Sequence, residues 1–413
     1  MLSTDVLVIG AGPAGSISAA MINKAGYRAM VVEREKFPRF VIGESLLPRC
    51  MEVLEDAGFL EAVKSKNFQQ KFGAKFLNGE AVSDFNFTEQ FTEGWNWTWQ
   101  VPRSEFDQTL ASEVERMGVP VRFETTVTDI QFHDDESSTT TIVNKDGSNE
   151  QISARFIVDA SGYGRVIPRM FNLDKPSNLD PRKAIFAHVT DEKRLRFDEP
   201  NRIIVVLYQP GVWVWIIPFS SGVTSLGFVG DFTFFENLEG NLTEQYRKVI
   251  NGHNYLKERF GDSDFIFEPR KLDSWSTTTE KFFGKGFVLT GNVTEFLDPI
   301  FSSGVMFATV SSHIASKLVI RKLNGEDVDW DKDYTTVVQQ GVDTFRTYVK
   351  AWYDGTLEKI FFAKEQDEEV KKQICSVLAG YVWDGKNPYV KEHDRAVRRL
   401  AKLIDVRERM ELR

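Results

Sequence analysis

The chain has 413 residues, of which 42% are hydrophobic and 27% charged, and carries a formal net charge of −9. That length exceeds one ordinary core and predicts two or three lobes, while the acidic balance argues against broad binding to nucleic acid or an anionic membrane. Two distant cysteines and five scattered histidines give neither a disulfide framework nor a metal-ligand spacing, which points to a reducing cytoplasm and no metal.

The N-terminus, MLSTDVLVIGAG, lacks the basic region and apolar core of a signal peptide. No apolar run approaches the ~20 residues of a membrane helix, so no membrane span is expected. DVLVI, residues 5 to 9, predicts a short buried strand. It runs into Gly10-Ala11-Gly12-Pro13-Ala14-Gly15, then a helical stretch, then a second strand, AMVVE, ending at Glu33. Each part suits a dinucleotide. Gly10 permits the tight turn, Gly12 lets backbone approach a pyrophosphate, and Gly15 lets the helix pack on the sheet. The helix N-terminus offers amides to the phosphates, and Glu33 can accept from ribose hydroxyls. The motif alone does not say which dinucleotide.

Further along, FNFTEQFTEGWNWTWQ alternates Trp95, Trp97 and Trp99 and reads as a strand beside LYQPGVWVWIIPF and TSLGFVGDF. WVWIIP, residues 213 to 218, sets Trp213, Trp215 and Ile217 on one strand face. By itself that spacing says only that the face is bulky. Beyond residue 330 the chain turns helical and charged, ending in HDRAVRRLAKLIDVRERMELR, an amphipathic end with a solvated face.

Four further stretches carry a resemblance: FPRFVIGESLLP (37–48), VPRSEFDQTL (101–110), RFIVDASGYGRVIPR (155–169) and GFVLTGNVTEFLDPIFSSGVMFA (286–308). With the GPAG turn they resemble the FAD-dependent monooxygenase superfamily. The resemblance implies an α/β fold: a Rossmann-type, aromatic-hydroxylase-like FAD-binding domain, an interleaved antiparallel substrate sheet and a helical C-terminal region. It divides the chain into FAD-binding segments 1–75, 100–180 and 275–330, a substrate sheet from 76–99 and 181–274, and helices over 331–413. It places Arg34, Arg39, Ser45, Arg103, Asp159, Gly291, Asn292, Pro299 and Gly304 at the FAD. The superfamily usually has Asp where Asn292 stands. Asn accepts a hydrogen bond without a charge, which predicts weaker, exchangeable FAD. GYGRVI (162–167) lacks the third glycine of a second fingerprint, so reduced FAD is expected from a separate flavin reductase.

Within the superfamily, W-x-W-x-I-P resembles the flavin-dependent halogenases, and F-x-x-P-x-x-S-x-G is met by Phe296, Pro299, Ser302 and Gly304. GESLLP and TYVKAWYDGTLEKIFFA (347–363) are similar to the branch acting on phenolic and carrier-bound substrates. Phe301 stands where the indole-oxidising branch carries Glu, which argues against free tryptophan. The resemblance implies that reduced FAD, O2 and chloride or bromide make hypohalous acid, which a lysine presents to an electron-rich aromatic substrate, free or carrier-bound. Lys71 matches the K-x-G-A-x-F pattern better than Lys75. Amides of Ser303 and Gly304 would nest the halide, Trp213 and Trp215 would wall substrate from flavin, and Glu44 is a candidate general base. The rivals are an aromatic monooxygenase, which would not need Lys71, and a geranylgeranyl-reductase-like flavoprotein, which would show no oxygen-dependent product.

Overall fold

VLVI, residues 6 to 9, is apolar at every position, the pattern of a strand covered on both faces. In the computed structural model, which describes residues 1–411, Leu2–Ile9 is central to a mainly parallel sheet. It pairs with Ala29–Val32 on one side and Asn149–Asp159 on the other, and Phe287–Leu289 and Val121–Arg122 extend the sheet outward. Leu7, Ile9, Val32, Ile157 and Leu289 fill one core layer. Val6, Val8, Val31, Val158 and Val288 face the other way, into the core shared with Ile17 and Ala20 of the helix Pro13–Lys24. Strand, glycine turn, helix and strand therefore stand as the sequence predicts.

The second sheet has seven strands, in the order Arg270–Asp273, Lys183–Thr190, Val223–Gly230, Val212–Pro218, Ile203–Gln209, Gly73–Asn78 and Ala81–Asn86. All pairs are antiparallel except Ile203–Gln209 with Gly73–Asn78. Period-two alternation divides its faces. Val214, Ile216, Leu226 and Phe228 pack on the helices Leu242–Asn251 and Asn254–Phe260. Trp213, Trp215 and Ile217 point the other way, towards the parallel sheet. Room for the Trp215 indole comes from its cross-strand partner Gly227, where a Cβ would lie 2.4 Å from the ring.

The stretch from Phe87 to Gln100 departs from expectation. Only Thr98–Gln100 is a strand, and it pairs with Gln69–Lys71 in a separate two-stranded sheet. Upstream, Gly94 has φ +147° and packs against the Tyr381 ring, which takes the chain out of the extended line. Trp95, Trp97 and Trp99 form a run of edge-to-face rings with centroids 5.6 and 5.1 Å apart. Their alternation reflects stacking on one another rather than a place in the large sheet.

From Ser303 the chain is helical: Ser303–Leu323, Thr336–Tyr353, Thr356–Phe361, Glu368–Leu378 and His393–Glu411 are the main helices. Ser303–Leu323 corrects one expectation, because its 21 residues and mean hydropathy of 1.2 suffice to cross a membrane by length and composition. Its most apolar window is 72% buried, and it packs on the helix Pro13–Lys24.

Behind the large sheet, Arg259 and Asp191 form a bidentate pair with both side chains fully buried (2.7 and 3.0 Å). Thr224 Oγ1 donates a third hydrogen bond to Asp191. Removing one partner strands a buried charge. Asp191→Ala should therefore lower unfolding free energy by about 3–5 kcal/mol, read as a lower urea midpoint.

Candidate active site

The two sheets and the helix Ser303–Leu323 enclose a cavity of about 580 Å³. One end lies against the glycine turn. A Cβ on Gly15 would sit 1.8 Å from the Gly10 carbonyl oxygen, so only glycine lets the helix start so close to the strand. Gly12 caps that helix in an extended conformation with Pro13 at its first position. Glu33, nearly buried, accepts the Ala11 amide at Oε2 and the Glu35 amide at Oε1, both at 2.8 Å.

Residues 39–45 run along one wall. Asp107, fully buried, holds this segment through two arginines. It takes Arg103 Nε and Nη2 at 2.8 and 2.9 Å and Arg39 Nη1 at 2.9 Å. Arg103 Nη1 also donates to the carbonyls of Ile42 and Gly43. Burial works against the Arg103 charge, but Asp107 beside it outweighs that and raises its pKa.

The opposite wall is the turn 160–164. Asp159 lies behind it: Oδ1 accepts the Ser161 amide and Oδ2 the Ile167 amide, and burial raises its pKa. Arg165, at φ +46°, ties this turn to the carbonyls of Asn292, Val293 and Thr278. Asn292 Oδ1 is buried without a hydrogen-bond partner, although the residue lines the cavity.

Of the residues expected at the cofactor, Gly10, Gly12, Pro13, Ala14, Glu33, Arg34, Arg39, Ser45, Arg103, Asn292, Pro299 and Gly304 line the cavity. Gly15, Asp159 and Gly291 do not: the first closes the helix–strand contact, and the second supports the turn from behind. Gly291 donates its amide to Ser311 Oγ, inside the fold. Glu44, Trp213 and Trp215 line the cavity; Lys71 and Ser303 do not. Ser303 is buried in the first turn of its helix, behind Ser302 and Gly304.

Both indoles are held in orientation. Trp213 Nε1 donates to Tyr353 Oη, and Trp215 Nε1 to Ser225 Oγ, each at 3.1 Å. Tyr353 donates onward to Asp298 Oδ2, and burial pushes that carboxyl up to about 6. Arg182 lies 3.8 Å over the Tyr353 ring.

Lys71 is 2% exposed and sits just outside the cavity wall. Its Nζ donates to Ser45 Oγ at 2.8 Å and to the Leu46 carbonyl at 2.9 Å, and lies 5.4 Å from the Phe87 ring centroid. No carboxylate pairs with it among the described residues. Burial pulls its pKa from 10.5 down to about 7, against a smaller opposing effect of Cys50. Lys75 is partly exposed on the next strand.

Asp107, Arg165, His188 and Tyr353 are site-shaping residues that the sequence reading did not single out. Asp107, Arg165 and Tyr353 lie in stretches that carry the resemblance, SEFDQTL, RFIVDASGYGRVIPR and TYVKAWYDGTLEKIFFA, without a role assigned to them; His188 lies in none.

FAD fits this lining. Gly12 leaves the helix start open beside Arg39, Glu33 keeps acceptor capacity at the ribose end, and Asn292, a lining residue, has a buried Oδ1 without a partner among the described residues. Asn292→Ala removes one acceptor, about 1 kcal/mol or more. FAD should bind roughly 5–10-fold more weakly, with the melting temperature of the apoprotein unchanged; fluorescence titration reads the first.

The profile of the FAD binding domain family matches residues 3–281. The chain is 30% identical to a flavin-dependent halogenase of Armillaria mellea, over 78% of this chain and 68% of that one. It is 28% identical to the 1H-pyrrole-2-carbonyl-[peptidyl-carrier protein] chlorinase of Pseudomonas fluorescens, over 95% and 92%. A flavoprotein/dehydrogenase from Cytophaga hutchinsonii has a solved structure that is 55% identical, covers 98% of this chain and 100% of its own, and superposes with a TM-score of 0.96.

Proposed function

The chain belongs to the flavin-dependent halogenases, FAD-dependent enzymes of oxidoreductase type, and from that premise we propose that it halogenates an electron-rich phenol or pyrrole through Lys71. The observation that carries this reading is the buried Lys71 amine, paired with no carboxylate among the described residues and poised near neutral pH, one hydroxyl away from the cavity.

Gly10, Gly12, Pro13 and Ala14 would hold the pyrophosphate, Glu33 the ribose, and Arg39, Arg103, Ser45 and Asn292 the rest of the FAD. Bound reduced FAD supplies the electron pair with which dioxygen oxidises chloride or bromide to hypohalous acid. Gly162–Gly164 of GYGRVI line the same cavity as the N-terminal fingerprint, which supports a separate flavin reductase as the source of reduced FAD.

The backbone around Ser302–Gly304, left-handed at Ser302 (φ +58°) and then helical, has the form of an anion nest for the halide. Trp213 and Trp215, pinned by Tyr353 and Ser225, keep an aromatic substrate out of the flavin cavity and leave passage to a small oxidant. Ser45 Oγ borders both the cavity and Lys71. With a pKa of about 7, Lys71 presents both ammonium and amine at neutral pH. The ammonium polarises hypohalous acid by a hydrogen bond; the amine takes the halogen with loss of water. Either delivers electrophilic halogen to the ring, which then loses a proton. Such attack favours phenols and pyrroles over plain rings.

The test is purified protein with a flavin reductase, FAD, O2, chloride or bromide, and a panel of phenols and pyrroles, each free and as a carrier-protein thioester. A halogenated product from at least one member supports the reading. Hydroxylated products alone contradict it.

A further inference from the structure

His188 and Glu44 stand 144 positions apart in sequence, yet His188 Nε2 and Glu44 Oε1 lie 2.7 Å apart. Glu44 is 1% exposed and lines the cavity. Its second oxygen, Oε2, is buried and has no hydrogen-bond partner. A buried carboxylate oxygen without a partner is costly, and here it belongs to a residue of the cavity wall. His188 is on the far side of Glu44, on the strand Lys183–Thr190, with its side chain 13% exposed. Rings of Phe40, Phe219 and Phe267 surround it at 5.7, 5.2 and 4.7 Å and fix its plane. Arg103, a cation on the cavity wall near Glu44, is already committed to Asp107.

The chemistry proposed above has a proton requirement. Oxidation of one halide ion by dioxygen, with the electron pair of the reduced flavin anion, gives hypohalous acid, one water and oxidised flavin, and consumes two protons. Those protons must enter a cavity with largely apolar walls. We propose that His188 and Glu44 form the route by which they enter. The His188 imidazolium passes its Nε2 proton to Glu44 Oε1, and the carboxyl then turns to release that proton into the cavity that Glu44 lines. While the carboxyl is turned away, water restores the proton on the freed Nε2. Glu44 is the group that meets the reacting atoms; His188 is a positioning residue that acts through it. This inference rests on the halogenase reading.

The experiment compares wild type, His188→Ala, His188→Gln and Glu44→Gln, all loaded with FAD, in the bromination of the panel. His188→Ala should slow bromination by roughly 100-fold, with FAD affinity kept within about twofold. Added imidazole should restore the rate in proportion to its concentration. His188→Gln keeps a donor to Glu44 but moves no proton, and should remain slow. A second readout needs no flavin. In apoprotein labelled with [15N]histidine, Glu44→Gln should shift the His188 ring resonances, because the two side chains touch. A fully active His188→Ala, a slow His188→Ala made good by His188→Gln, or unshifted ring resonances would each overturn the relay. Failure of the wild type to brominate any substrate would instead overturn the halogenase reading, and the relay with it.

Discussion

Lys71→Ala should retain FAD and its reoxidation by oxygen, yet lose halogenation by about 10³-fold or more, the upper range for removing one acid–base group. The change removes no cavity-lining side chain, because Lys71 lies outside the cavity, and costs the lining only the hydrogen bond to Ser45 Oγ. What it removes is the amine beyond Ser45. A second measurement separates function from folding. Lys71 is fully buried, and lowering its pKa from 10.5 to about 7 means that the folded state disfavours the ammonium by about 5 kcal/mol. Below pH 7 both folded and unfolded chains hold the proton, and the full penalty applies. Between 7 and 10.5 the unfolded chain binds more protons than the folded one, so stability rises with pH. Lys71→Met fills similar volume without a charge. It should be more stable than wild type at pH 6, with the gap narrowing by pH 9, in urea titrations. A Lys71→Met protein that is inactive but more stable at pH 6 has lost chemistry, not its fold.

Gly15→Ala should be the most damaging single methyl in the FAD site. Its Cβ would fall 1.8 Å from the Gly10 carbonyl oxygen, a backbone atom that no rotamer change can move. The helix must shift away from the strand, taking its N-terminal amides with it. Overpacking of this kind costs about 3 kcal/mol or more, and FAD affinity should fall by over about 100-fold as the phosphate cradle opens. Gly12→Ala provides the contrast. Its nearest neighbour would be Arg39 Nη2 at 3.4 Å, so the fold tolerates the methyl, but the methyl enters the space of the pyrophosphate. Gly12→Ala should therefore lose FAD at nearly unchanged melting temperature, whereas Gly15→Ala loses both. Flavin fluorescence titration and thermal unfolding distinguish the two.

These residues show what a linear reading can and cannot reach. The N-terminal unit is local: strand, turn, helix and acid follow one another, and periodicity and glycine spacing report them directly. The Trp213–Trp215 face was legible for the same reason, since a strand alternates. The pattern misled at Trp95 and Trp97, where alternation arises from rings stacked in a loop that Gly94 redirects. Asp159 was assigned to the cofactor, but its oxygens are spent on the Ser161 and Ile167 amides. The roles of His188, Tyr353 and Arg165 were not legible because their partners are distant, although the last two stand in stretches that carry the resemblance. Tyr353 reaches Trp213 across 140 positions, and Arg165 reaches Asn292 across 127. Lys71 lies between these cases. Its spacing marked it, but its burial and lowered pKa come from the helix start and sheet folding over a strand of only three residues.

The most direct test of the account is the mass of the aromatic product formed by the wild-type protein from reduced FAD, bromide and 18O2. The account predicts a product with the bromine isotope doublet and no 18O, because both oxygen atoms leave as water and hypohalous acid gives the ring only its halogen. A product carrying one 18O and no bromine would contradict it, and would mean that the substrate meets the flavin site directly.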